Sequence, residues 1–380
     1  MRGTRFAVGV STLILAAGVG SASTSGGHPT VMRTGRILPR GASVAMLMPV
    51  VRANASASIP TRTGLVAGTI GMADLGQMVA GYGRLWVVDQ PYWVVAGTYG
   101  NLPARLLTID MRTRRVVGKP IQVGRGASVA VGSGSVWVAN FDDGTVSRID
   151  PKTRRVVATV SIAADHIGPL GVGHGKVWVL RQDFDRAKHG GQLIRIDPAT
   201  NRVIGRTIVG KNVCGYFSLT IGRDAVWVTG DAQPSILRID PVTGQILARI
   251  RTRRGTIGPV IAQGTVWLGN ETKGTLRLSR IDPSTNRVQV VPGAPHRLGS
   301  ILRPEGSRFW GTNGRTIRML DMARPSTASF VADLPQTYQL TVVQGTLWGE
   351  SWGSDGTGSI RWVDLRAPLL RVDPAPSRVA

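Results

Sequence analysis

Two short phrases alternate along this chain in fixed register, and that double repeat restricts the possible folds more than any other feature. "VSRIDPKTRRVVATV" begins at Val146, and close variants begin at Leu193, Ile236 and Leu278. Each follows a second phrase, a small turn and then Trp between two apolar residues. The tryptophans are Trp86, Trp137, Trp178, Trp227, Trp267, Trp310 and Trp348. The aspartates that track them are Asp110, Asp150, Asp197, Asp240 and Asp282, with degenerate copies at Asp321 and Asp364. Seven copies over residues 61–372 amount to about 45 residues per copy, a period that marks a repeat architecture.

Within a copy the segments are short, rich in Val, Ile and Trp, and separated by Gly, Asp-Pro and Asn turns. Helical spacing is absent. The second copy reads as four strands, "ASVAVG", "SVWVAN", "TVSRID" and "RVVATVSI". A four-stranded sheet with two apolar faces must stack on neighbours, and a closed ring leaves no end exposed. The sequence therefore predicts an all-β chain, a seven-bladed β-propeller of four-stranded antiparallel blades, with each Trp between blades. The Asp-Pro-x-Thr phrase becomes the turn between third and fourth strands. Asp accepts from amides two residues on, Pro presets φ, and Asn201, Gly244 or Asn286 supplies a left-handed residue. "GLVAGTIGM" at 64–72 resembles a fourth strand yet precedes the first Trp, so it is expected to close the last blade. "PLLRV" at 368–372 competes for that place.

Residues 1–22 have Arg2 and Arg5, an apolar stretch and small residues near Ala22, the layout of a secretory signal. A second start at Met32, ending at "RANAS", has the same character. Residues 23–60 read as a flexible tether and 61–380 as the propeller. An extracellular or periplasmic location follows, without a membrane span. The single cysteine, Cys214, excludes an internal disulfide and a thiolate metal cluster, and reads as a small buried hydrophobe. Formal net charge is +24; without residues 1–22 it is +22, and without the tether's four arginines +18. That balance suits an anionic cell-envelope polymer, with a glycan or protein as other ligands. Export argues against nucleic acid. Arg outnumbers Lys 40 to 6, a ratio that codon usage in a GC-rich genome also produces.

The repeats resemble secreted seven-bladed propellers of the YVTN and NHL type, and are similar to the virginiamycin B lyase group. In "APHRLGSILRPEGSRFWGTN" the lyase-like pattern falls on Pro295, His296, Glu305, Gly306 and Trp310. Where that pattern carries Glu three residues after Trp, this chain has Asn313, and it has no Glu-x-His pair.

In a propeller the connections between second and third strands, and between blades, rise on one face around the axis. The residues expected there as a ligand-binding face are Asp89, Asn140, Asp142, Asp183, Asp231, Asn270, Glu271, His296 and Arg297. The candidates for acid–base work are Glu271, His296 and His166. The expected function is a monomeric, non-catalytic binding module without a cofactor. The alternative is a metal-assisted lyase or lactone or ester hydrolase, with oxygen ligands holding Ca²⁺ or Mg²⁺. "GVGHGK" at 171–176 imitates a phosphate loop but sits in a hairpin, so its glycines read as turn residues and His174 as solvent-facing.

Overall fold

A strand whose every residue is buried must be covered on both faces, and Ser135–Asn140 is such a strand. Val156–Ser161, two strands further along the same sheet, is mostly exposed. Burial is thus deepest in the second strand and least in the fourth, at the rim, while first strands such as Met78–Gly81 and Ser218–Ile221 are half-buried. The computed structural model describes residues 68–72, 77–89, 92–95, 98–101, 103–124, 127–163, 166–181, 190–210, 218–230, 234–253, 256–272, 275–292, 301–312, 316–321, 328–333, 337–352 and 358–365. These form seven four-stranded antiparallel sheets, with no helix among the described residues. Blades one to six span 78–122, 127–161, 167–210, 218–251, 256–290 and 301–333, each in simple strand order. First strands of successive blades lie against one another around the whole ring, the seventh against the first, so they surround the axis.

The seventh blade takes three strands from the C-terminal end, Thr337–Val343, Thr346–Trp352 and Gly358–Asp364. Its outer strand is Gly68–Met72, antiparallel to the third, with Ile70 opposite Ile360. The N-terminal strand expected to close the ring does so; "PLLRV" lies outside the described residues, as does Cys214. One element was not anticipated. A hairpin of Tyr92–Val95 and Thr98–Asn101 forms its own two-stranded sheet between the second and third strands of blade one.

Each blade is held to the next by its tryptophan. Trp86 packs with Val129, Val136 and Val138 of blade two, and Trp137 with Val177, Val179 and Ile194 of blade three. Trp178, Trp227, Trp310 and Trp348 repeat this against blades four, five, seven and one. The indole N–H also needs an acceptor once buried. In blades one to three it donates to the carbonyl of Gly81, Gly132 and Gly173, five residues earlier, at 3.1–3.2 Å. The same glycines admit the next blade. A Cβ on Gly132, whose φ is +155°, would lie 2.6 Å from Val172. The Gly171 and Gly173 of "GVGHGK" likewise sit in a strand against Ile221 instead of making a turn. His174 is exposed, yet its Nε2 lies 2.8 Å from the Gly222 carbonyl of blade four, a link between blades instead of a free solvent contact.

Trp267 departs from the expectation of full burial and is only partly covered. Ala262 stands where blades one to four have glycine, and the indole N–H finds no partner among the described residues. Its neighbour is Phe309, edge-on at 5.3 Å.

The Asp-Pro-x-Thr phrase forms the predicted hairpin and does more. Asp240 accepts from the Val242 and Thr243 amides at 2.7 Å, and Asp110, Asp150, Asp197 and Asp282 act alike. These bonds favour the carboxylate, and the Ser284 hydroxyl and amide hold Asp282 at about 2. The left-handed residue is Asn201, Gly244 or Asn286 as expected, but Arg114 and Arg154 take that place in the first two hairpins. The arginine before Ile-Asp crosses to the following blade. Arg148 lies over Trp137, 5.2 Å from the ring centroid, and donates to Pro198 O at 2.7 Å. Arg195 reaches Thr243 O, and Arg238 reaches Pro283 O. The hairpins of blades three, four and five therefore present carbonyls to a guanidinium from the blade before each.

Two outcomes follow from this packing. Trp178→Ala should cost about 3–5 kcal/mol in urea unfolding, and Trp267→Ala distinctly less, because less of its ring is covered. A chain beginning at Ala73 lacks the outer strand of blade seven and exposes a sheet edge. It should melt well below a chain beginning near residue 60, with broader transitions in calorimetry; equal melting would show that the strand is dispensable.

Candidate functional site

The antiparallel meander sends the second-to-third connections and the links between blades to one face, here the loop face. The position three residues after each Trp lies at or near the loop-face end of the second strand, where the described residues are Asp89, Asn140, Arg181, Gly230, Asn270 and Ser351. Asp89, Asn140, Arg181, Asn270 and Ser351 are all buried. A buried polar group must be paired, so their partners decide what chemistry remains.

Asp89 is 1 % exposed and forms an ion pair with Arg105, its opposite number on the neighbouring strand. Asn140 accepts from the Gly124 amide at 3.0 Å and donates to the Thr145 and Ser147 hydroxyls at 2.9 Å. This set ties the link from blade one to the loop of blade two. Asn270 approaches Thr256 Oγ1 at 3.4 Å. Asp89 and Asn270 are thus paired within their own blades, and Asn140 also reaches the link from the blade before. Asp142 is half-buried in the turn after Asn140, and Asp143 beside it is exposed. His166 precedes the first strand of blade three with φ 54°, its ring 5.1 Å from that of Phe141. Asn140, Phe141, Asp142 and His166 thus gather on the loop face where blades two and three meet.

Glu271 lies on the second strand of blade five, next to Asn270 and opposite Leu276. Asp183, Asp231, His296 and Arg297 lie outside the described residues. Among the described residues no three His, Cys, Asp or Glu side chains gather as a metal site, and no helix is long and apolar enough to cross a membrane.

The sequence reading missed Arg105 and the polar group of blade seven. Glu350, two residues after Trp348, is fully buried, opposite Gln339 and Ile360. At the corresponding position the other blades have Val88, Ala139, Leu180, Thr229, Gly269 and Thr312, so comparing the repeats column by column would have singled it out. Thr337 and Ser351, also buried, share a hydroxyl bond of 2.9 Å. Strand alternation continues the Trp348 face to Glu350 and the Leu85–Val87 face to Asp89. Those two faces form the junction between blades seven and one, so two buried carboxylates flank the closure of the ring.

Asn140→Ala would leave the Gly124 amide, the buried Ser147 hydroxyl and the half-buried Thr145 hydroxyl without this partner. We expect a loss of about 1–3 kcal/mol, measured by denaturant unfolding. An unchanged midpoint would mean that Asn140 does not brace the loop face.

No protein-family model matches the sequence, and no curated protein matches it. Solved structures do match in fold. A streptogramin B lyase superposes with a TM-score of 0.55 at 15% identity, over 77% of this chain and 93% of that one. A catalytically inactive virginiamycin B lyase from Staphylococcus aureus, with quinupristin, gives 0.53 at 16% identity, over 74% and 92%. Hydrazine synthase of Kuenenia stuttgartiensis gives 0.55 at 14% identity, over 73% and 92%. The chain is a seven-bladed β-propeller similar in fold to these proteins.

Proposed function

We propose that this chain is an exported binding module for an anionic polymer of the cell envelope and that it is non-catalytic. The observation that supports this reading is the charge balance within the fold. The chain has 46 Lys and Arg against 22 Asp and Glu. Among the described residues the ion pairs are Arg105–Asp89 and Arg114–Asp364. Five further aspartates hold turn amides, and many guanidinia donate to backbone carbonyls, which leaves their charge uncancelled. A rigid ring with such a surplus attracts polyanions and holds them over many weak contacts. A glycan or a protein with an acidic face is a less direct match.

The test is binding of the purified chain to isolated cell-wall material as salt is raised from low to high. Exposed charges are screened within about 8 Å at physiological ionic strength, so retention should fall steeply. Salt-insensitive retention, or none, would assign the surplus to codon usage.

A second reading is metal-assisted cleavage of a lactone or ester on the loop face. It is favoured by His166, held with a left-handed backbone beside Phe141, and by the fold shared with streptogramin-cleaving proteins. His166, His296 and Glu271 would supply acid and base, and carboxylates such as Asp142 would supply oxygen ligands. That reading requires turnover of a cyclic ester that depends on added Mg²⁺ or Ca²⁺ and disappears in Glu271→Gln. The binding reading requires no turnover under those conditions.

A further inference from the structure

The opposite face, where first and second strands and third and fourth strands are joined, carries a charge asymmetry that neither fold nor composition requires. Its five Asp hairpins are built alike. Those of blades three, four and five read "DPATNR", "DPVTGQ" and "DPSTNR", with one cation, none and one. Those of blades one and two read "DMRTRR" and "DPKTRR", with three cations each. A genome-wide preference for arginine codons would load all five alike. Asn, Gly and Gln serve the same turn elsewhere, so the turn itself does not demand the extra cations.

The two basic hairpins are also laced together. Arg154, from the second, runs across the first and donates to Lys119 O and to Thr108 Oγ1. Arg84, from blade one, donates to Pro151 O of the second hairpin at 3.2 Å. Burial, and after it the charge of nearby Arg84, lowers the Arg154 pKa. Like charges held side by side favour an arriving anion. Around this laced centre Arg112, Arg115, Lys119, Lys152 and Arg155 are all exposed, and none forms an ion pair among the described residues. Arg114 is neutralised by Asp364 of blade seven at 3.0 Å. Asp110 and Asp150 remain as the acids of the two hairpins, their carboxylates turned to the Thr113 and Thr153 amides.

We infer that the paired hairpins of blades one and two form the polyanion-docking surface, and that its partner is a linear phosphodiester polymer of the cell envelope. Arg112, Arg115 and Arg155 present planar forks suited to phosphate oxygens, with Lys119 and Lys152 as point charges. Several cations on two rigid turns match a polymer whose negative charges repeat along its length, better than a ligand with one charged group. This inference rests on the binding function proposed above but moves the contact from the loop face to the hairpin face.

The experiment measures binding of the full chain to poly(glycerol phosphate) over a salt series. It compares two charge-matched triple variants, Arg112→Ala/Arg115→Ala/Arg155→Ala on the hairpin face and Arg251→Ala/Arg253→Ala/Arg277→Ala near the loop face. The first should weaken binding about tenfold or more at low salt and flatten the salt dependence, because fewer counterions are released. The second should change it much less. Gln in place of Ala at Arg112, Arg115 and Arg155 keeps the side-chain stems and should give the same loss, with melting unchanged. If both triples weaken binding equally, or only the loop-face triple does, the docking surface is wrong while the binding function stands. If the parent chain binds neither the polymer nor wall material, both fail. Tighter binding to duplex DNA than to poly(glycerol phosphate) would overturn the choice of partner.

Discussion

The stacking of one indole per blade onto the following sheet is the interaction on which the rest of the ring depends. A blade of four strands has two apolar faces and cannot stand alone in water. Trp86, Trp137, Trp178, Trp227, Trp310 and Trp348 each join the apolar cluster of the next blade. Burial of the ring drives the contact, and the N–H must be satisfied where it is enclosed. The glycine five residues earlier answers both needs in blades one to three, as acceptor and as the gap that admits the next blade. Blade five has Ala262 there, and its Trp267 is the less covered one. Variation at one small residue is thus matched by variation in the packing of a large one.

A second layer of fastening lies on the hairpin face. Arg148, Arg195 and Arg238 leave their own sheets and donate to turn carbonyls of the following blade. Such bonds use the planar fork of arginine without requiring a carboxylate. That explains how a chain with so few acids can employ many arginines structurally and still remain strongly positive. It also separates two kinds of cation. Those inside the junctions are committed to the scaffold, whereas those on the rims of the first two hairpins are exposed.

The loop face has the opposite character. Among the described residues, Asp89, Asn140, Arg181, Asn270 and Ser351 are buried at or near its strand ends, and Asp89 and Asn140 hold strands and loops together. Polar residues gathered on one face can therefore serve as braces for its loops. Asp142 and Asp143 follow Asn140 in the same turn, His166 lies against Phe141, and the buried Glu350 belongs to the junction that closes the ring.

The sequence by itself determined the number of blades, the strand order within them and the hairpin role of Asp-Pro-x-Thr. These depend on local rules: alternation along strands, turn chemistry and a period of fixed length. It also pointed to Gly68–Met72 as the closing strand, because that segment resembles a fourth strand without a blade of its own. Only the tertiary structure decided that Arg148 and its counterparts clasp the next blade, that Asn140 is a brace, and that His174 meets Gly222. It likewise decided that Glu350 and Asp89 lie on the two faces that close the ring. Each of these facts pairs residues from different strands or blades, and a repeat in one dimension does not state which side chains meet across a twisted interface. Strand alternation assigns a face to a residue; the angle and depth of packing between sheets assign its partner.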